Sequence, residues 1–212
     1  MTRVLILPGL FGSDIGHWQH HWLDDQPDSA LVAQHDWDQP SLADWMTKLE
    51  SALEEAGEAY LVAHSLGCLL AANLTDRPAA RRVRGALLVA PCDLSTTESL
   101  HPGRISFGTM PTGRLPFPSI LVGSLNDVYM AIDRLHLFGR LWQSEVQNIG
   151  LAGHINVASG FGRWAGGYAR VHKLKIWSRS HHVPSPPDCL LHRSDRKCSN
   201  PEAYGRNYPA IP

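Results

Sequence analysis

Apolar positions along the chain fall in short unbroken runs separated by helical patterns. Val4–Leu7 ends at Pro8-Gly9, Tyr60–Ala63 at His64-Ser65 and Ala86–Ala90 at Pro91. Ser119–Gly123 follows a Pro-rich stretch, Val146–Ile149 precedes Gly150, and Ala30–Ala33 is a weaker run. Runs of about 4–8 apolar residues without alternation mark strands covered on both faces. Between them, Ser41 is placed to N-cap a helix over 42–56, with Asp44 at its third position and Gly57 at its end. Leu42, Trp45, Met46, Leu49 and Leu53 form one apolar stripe on it. Residues 66–75 are apolar nearly all round, as in a buried central helix, and 131–142 bring Ile132, Leu135, Leu141 and Trp142 to one flank. Strands alternating with helices predict an α/β fold with a doubly wound, mostly parallel sheet of about six strands.

The pattern stops near residue 170, and the charge changes with it. The chain has 212 residues, 43% of them hydrophobic, and a formal net charge of −1. That figure is the sum of a −5 body and a +4 segment over 171–212. The segment holds six of the 15 Pro but one of the 18 Gly, and shows no periodicity after Trp177. The expectation is an α/β domain over 1–170 and a poorly ordered, basic, Pro-rich extension over 171–212 that replaces a closing helix, as an out-of-frame reading would. The acidic body argues against nucleic acid as a partner. No apolar run approaches the roughly 18 residues of a membrane span. Four Cys with no Cys-x-x-Cys pair point to a reducing, cytoplasmic setting.

The chemistry is concentrated at strand ends. Ala63-His64-Ser65-Leu66-Gly67 joins a strand to the buried helix and matches the small-x-Ser-x-small pattern of a strained turn that lifts a Ser hydroxyl to the sheet edge. Ala63 stands where Gly is more usual. The N–H of Leu66, at the helix N-terminus, faces a developing oxyanion. Asp127 lies just past the strand 119–123, and His154 sits in a Gly-flanked loop past the strand 146–149. The chain order Ser, acid, His suits a nucleophile with its base and orienting acid. Asp93 and Asp133 compete less well, and Asn126 reads as a turn residue beside Asp127. His17, His20 and His21 lack the further ligands of a zinc site, so no metal is expected. Cys68 and Cys92 read as small buried residues.

On these residues the chain resembles the small serine-hydrolase family of the α/β-hydrolase fold that includes the retinoblastoma-binding protein 9 group and its bacterial relatives. The stretches that carry the resemblance are LPGLFGSDIGHWQHHW (7–22), QHDWDQPSLADWMTKLE (34–50), VAHSLGCLLAA (62–72), LPFPSILVGSLNDVY (115–129) and NIGLAGHINVASGFGRW (148–164). The resemblance implies a compact hydrolase with little or no lid and a triad on Ser65, Asp127 and His154. It also implies an oxyanion-hole N–H from the loop Gly9-Leu10-Phe11, assigned to Leu10, beside that of Leu66. Phe11, His17, His64 and Asn156 are candidate pocket residues, with His17 near the rim, and residues 95–118 are expected to line the pocket. The expected activity is cleavage of small ester-type acyl substrates without a cofactor. The alternative is a hydrolase-fold protein of low turnover that acts as a binding or scaffolding module.

Overall fold

The computed structural model describes residues 2–180. Tail features read from the sequence beyond that point, among them the Pro-rich run and Cys189, Cys198, His181, His182 and His192, lie outside the described residues.

Six strands form one parallel sheet in the order β2-β1-β3-β4-β5-β6. They are β1 (Arg3–Leu7), β2 (Ser29–Leu31), β3 (Ala59–His64), β4 (Val83–Val89), β5 (Ser119–Gly123) and β6 (Glu145–Asn148). Six helices connect and cover them: α1 (Trp18–Asp25), α2 (Leu42–Ala56), α3 (Leu66–Ala72), α4 (Leu94–Leu100), α5 (Ile132–Trp142) and α6 (Ala165–Ser180). The chain reverses direction across the sheet between β1 and β3. Such a switch point opens a crevice at the carboxyl edge, where open α/β sheets place their ligands.

Alternate residues of the central strands feed two cores, which is why the runs read as continuously apolar. Leu5, Leu7, Leu61, Ala63, Leu88 and Leu121 pack under α2, α3 and α5, which contribute Trp45, Leu49, Leu53, Leu69, Phe138 and Trp142. Val4, Ile6, Val62, Leu87, Val89, Ile120 and Val122 pack on the other face under Trp18 and Trp22 of α1 and Val171 and Leu174 of α6. Ser41 caps α2 by accepting from the Asp44 N–H at 3.5 Å, and Gly57 ends it with φ at +72°.

The expected boundary at residue 170 falls inside a helix. Val171 and Leu174 of α6 are buried against the sheet, and Trp177 packs at the edge of the same core. A closing helix is therefore present through Ser180. Two of its basic residues have partners on the polar edge strand: Lys173 pairs with Glu145 at 2.5 Å, and Arg170 donates to Gln147 at 2.8 Å. Gly166 and Gly167 serve close packing. A Cβ on Gly167 would stand 2.9 Å from Trp164 and 3.0 Å from Trp22.

Candidate active site

Ser65 stands in the tight turn between β3 and α3 with φ +53° and ψ −121°, a backbone region that costs a non-glycine residue roughly 1–3 kcal/mol. Two glycines make the turn sterically possible. A Cβ on Gly67 would lie 2.2 Å from the Leu7 carbonyl oxygen, and one on Gly9 would lie 2.7 Å from Ser65 Cβ. Ala63 is fully buried in the core, so its methyl packs where a glycine would leave space. The Ser65 N–H donates to Val89 O at 3.1 Å, tying the turn to β4.

The turns after β5 and β6 bring the other two residues to this hydroxyl. His154 Nε2 is 2.9 Å from Ser65 Oγ. His154 Nδ1 is 2.9 and 3.0 Å from the two oxygens of Asp127, whose side chain is 2% exposed. An ionised carboxylate only accepts, so Nδ1 carries the proton and Nε2 is left to accept from the serine hydroxyl. The two turns are stitched together. Asn126 accepts from the Gly153 N–H at 2.8 Å, and Ser124 donates to Gly153 O at 2.5 Å. Asn126, read from sequence as a turn residue, is therefore the clasp between these loops.

The His154 loop has further supports. Trp18 Nε1 donates to Ile155 O at 2.8 Å. The His154 N–H donates to Ser159 Oγ at 3.1 Å, and that hydroxyl donates to Asn156 Oδ1 at 2.9 Å. Asn156 lines the pocket and also braces the His154 loop. Tyr129 was not singled out from sequence. Its N–H donates to Asp127 Oδ1 at 2.9 Å, its ring lies 4.3 Å from that of His154, and its hydroxyl meets His101 Nε2 at 2.9 Å.

His64 points away from the Ser65 hydroxyl and donates from Nε2 to the His154 carbonyl at 2.9 Å. Burial, then the neighbouring His154 and His17 rings, hold it well below the ordinary histidine range, so it is neutral. His17 is buried rather than at the rim, because its Nδ1 caps α1 by accepting from the Gln19 N–H at 3.2 Å. Burial and the nearby His154 lower it to about 4. Burial pushes Cys92 up to about 11 and Cys68 well above the thiol range, consistent with inert packing. Asp93 is engaged elsewhere: it caps α4 through Ser95 and Thr96 and takes two hydrogen bonds from Arg134 at 2.5 and 3.0 Å. Asp133 lies in the first turn of α5.

Leu10, Phe11, His17, His64, Leu66, His154 and Asn156 line a cavity of about 450 Å³ around Ser65. Of the span 95–118, only Thr97 and His101 reach it, because Thr97 lies on α4, His101 caps its C-terminus and the remainder runs elsewhere. In the loop after β1, the Phe11 N–H is taken by Trp37 O at 2.9 Å. The N–H groups of Leu10 and Leu66 donate to no acceptor among the described residues. No Lys or Arg lines the cavity, and Asp14 is its one acidic residue apart from the buried Asp127 behind His154. Among the described residues no helix is long and apolar enough to cross a membrane.

A model of the family described as Serine hydrolase matches residues 4–173. The structure is similar to that of a YdeN-like hydrolase from Pectobacterium atrosepticum at 30% identity and a TM-score of 0.73, over 83% of this chain and 91% of that one. The ydeN gene product from B. subtilis aligns over 83% of this chain and all of its own, at 19% identity and a TM-score of 0.66. An esterase from Thermogutta terrifontis shares the fold at 12% identity and a TM-score of 0.56, over 85% and 90% of the two chains. No curated protein matches the sequence. By its sequence over 4–173 and its six-stranded parallel sheet, the chain belongs to the serine hydrolase family of the α/β-hydrolase fold.

Proposed function

We propose that the protein hydrolyses small, uncharged esters through an acyl-enzyme on Ser65, with His154 as base and Asp127 as the group that orients it. The observation that carries this reading is His154 bridging Ser65 Oγ at 2.9 Å and Asp127 at 2.9 Å beside two backbone N–H groups without acceptors. In this mechanism the Ser65 oxygen attacks the ester carbonyl as His154 Nε2 takes its proton. Negative charge gathers on the carbonyl oxygen and is met by the N–H groups of Leu10 and Leu66. Asp127 stabilises the imidazolium. His154 then gives the proton to the leaving alkoxide, and the acyl group stays on Ser65. A water, deprotonated by His154, releases the acid by the same steps in reverse order.

Two features favour uncharged esters. The lining carries no cation to hold a carboxylate or phosphate, and Leu10, Phe11, Val157 and Ala158 offer apolar surface. A cavity of about 450 Å³ suits a short acyl or alcohol portion. The motif stretches from 7–22 to 148–164 further support a place in the retinoblastoma-binding protein 9 branch. The test is a stopped-flow assay with p-nitrophenyl esters of increasing chain length. A burst of one p-nitrophenol per chain, absent in Ser65→Ala, is expected. A folded native protein with neither burst nor turnover would instead favour the binding-module alternative.

A further inference from the structure

Gln19 has a connectivity that neither the triad nor the core explains. It is fully buried on α1 at the β1–β3 switch point. Its Nε2 donates to Leu7 O at 3.1 Å and to Val62 O at 3.0 Å, so one amide ties together the last turns of β1 and β3. Its Oε1 accepts from Ser13 Oγ at 2.7 Å. Leu7 and Ser13 bracket the loop 8–12, and Val62 lies three residues before Ser65. A single side chain thus holds both ends of the loop that carries the Leu10 N–H and the strand that delivers the nucleophile.

The spacing between these two parts is tight. Gly67 passes so close to Leu7 O that a Cβ there would approach to 2.2 Å, and Gly9 touches Ser65. Within the loop, the Phe11 N–H is held by Trp37 O and the Gly12 N–H by Gly9 O, which leaves the Leu10 N–H directed by the loop's ends. An apolar side chain of the same volume could fill the site of Gln19. It could not fix the distance between the two strands or anchor Ser13.

We propose that Gln19 is a positioning residue for the oxyanion-binding loop, holding the Leu10 N–H in register with Ser65 through Leu7, Val62 and Ser13. This rests on the reading that Ser65 is the nucleophile and Leu10 an oxyanion donor. Displacing such a donor by a fraction of an ångström weakens the transition state and leaves the ground state nearly untouched.

The test compares Gln19→Met and Ser13→Ala with the native protein. Gln19→Met keeps volume and removes all three hydrogen bonds. Ser13→Ala removes one anchor at a partly exposed position and keeps the fold if Gln19→Met does not. The readouts are kcat and KM on a p-nitrophenyl ester, affinity for a boronic acid that forms a tetrahedral adduct, and the stoichiometry of fluorophosphonate labelling. For Gln19→Met, kcat should fall by about 10- to 100-fold with KM within about threefold. Boronate affinity should fall in parallel, and labelling should still reach one per chain. Ser13→Ala should show the same pattern at about three- to tenfold. Unchanged kcat with only a lowered Tm would overturn the proposal, as would a change confined to KM. Absence of Ser65 labelling in the native protein would instead overturn the functional reading beneath it.

Discussion

Asp127→Asn isolates the role of one carboxylate with almost no change in shape. Asp127 Oδ1 accepts from the Tyr129 N–H at 2.9 Å, and both oxygens face His154 Nδ1 at 2.9–3.0 Å. In the variant, the amide oxygen is held by the Tyr129 N–H, which needs an acceptor. The amide NH2 then faces His154 Nδ1. Two donors cannot share that contact, so the imidazole shifts its proton to Nε2. The nitrogen beside Ser65 Oγ becomes a donor and can no longer take the hydroxyl proton. Loss of both tautomer control and imidazolium stabilisation costs about 10⁴-fold in kcat in serine enzymes built this way, or about 5.5 kcal/mol of transition-state energy. The assay is steady-state hydrolysis of a p-nitrophenyl ester at pH 7, with Tm by calorimetry. The expected result is a loss of about 10³–10⁵ in kcat with KM within a few-fold. A folded variant within tenfold of native turnover would refute the assignment of the acid to Asp127.

Asp93→Asn serves as the matched control: it loses the Arg134 ion pair but keeps an α4 cap, so kcat should stay within about threefold while Tm falls a few degrees. Ending the chain after Arg170 removes Val171 and Leu174 from the core; burial of two such side chains contributes about 3–6 kcal/mol, so denaturant titration should show an unfolded or molten chain, and a native-like midpoint would contradict the packing of α6. Gly67→Ala drives a methyl to 2.2 Å from backbone and should destabilise by about 3 kcal/mol or prevent folding, read by the urea midpoint. His17 has its pKa lowered from 6.5 to about 4, so the unfolded chain binds more protons between those values. Its contribution is therefore complete above pH 6.5 and is lost as pH falls towards 4, by up to about 3 kcal/mol. His17→Asn, which can still cap α1, should flatten Tm against pH in that window, and an unchanged slope would show that His17 is not buried neutral.

The parts legible in the sequence were those written in local pattern. Continuous apolar runs gave the two-face-buried strands, because β3, β4 and β5 are central in the sheet. The capping of α2 by Ser41 and Gly57 is a local device and was read correctly. The positions of Ser65, Asp127 and His154 past strand ends were legible because a parallel sheet gathers its carboxyl ends in one place, and the structure brings the three within hydrogen-bonding distance. The closing helix α6 was not legible, since Lys173 and Arg170 answer Glu145 and Gln147 on another element and its glycines answer Trp22 and Trp164. The edge strands were placed within a residue or two, their weaker apolarity following from solvent on one side. Gln19, Tyr129 and His101 carried no local signal. Each matters through a contact with residues distant in sequence, and Gln19 stood inside a His- and Trp-rich stretch that was weighed only as a metal site and set aside.

The claim on which the account depends is that Ser65 is the nucleophile. Peptide mapping by mass spectrometry after reaction with a fluorophosphonate tests it directly. A single adduct on Ser65, formed in step with loss of ester hydrolysis and missing from Ser65→Ala, is the expected result. An adduct on another residue, or undiminished hydrolysis by Ser65→Ala, would contradict it.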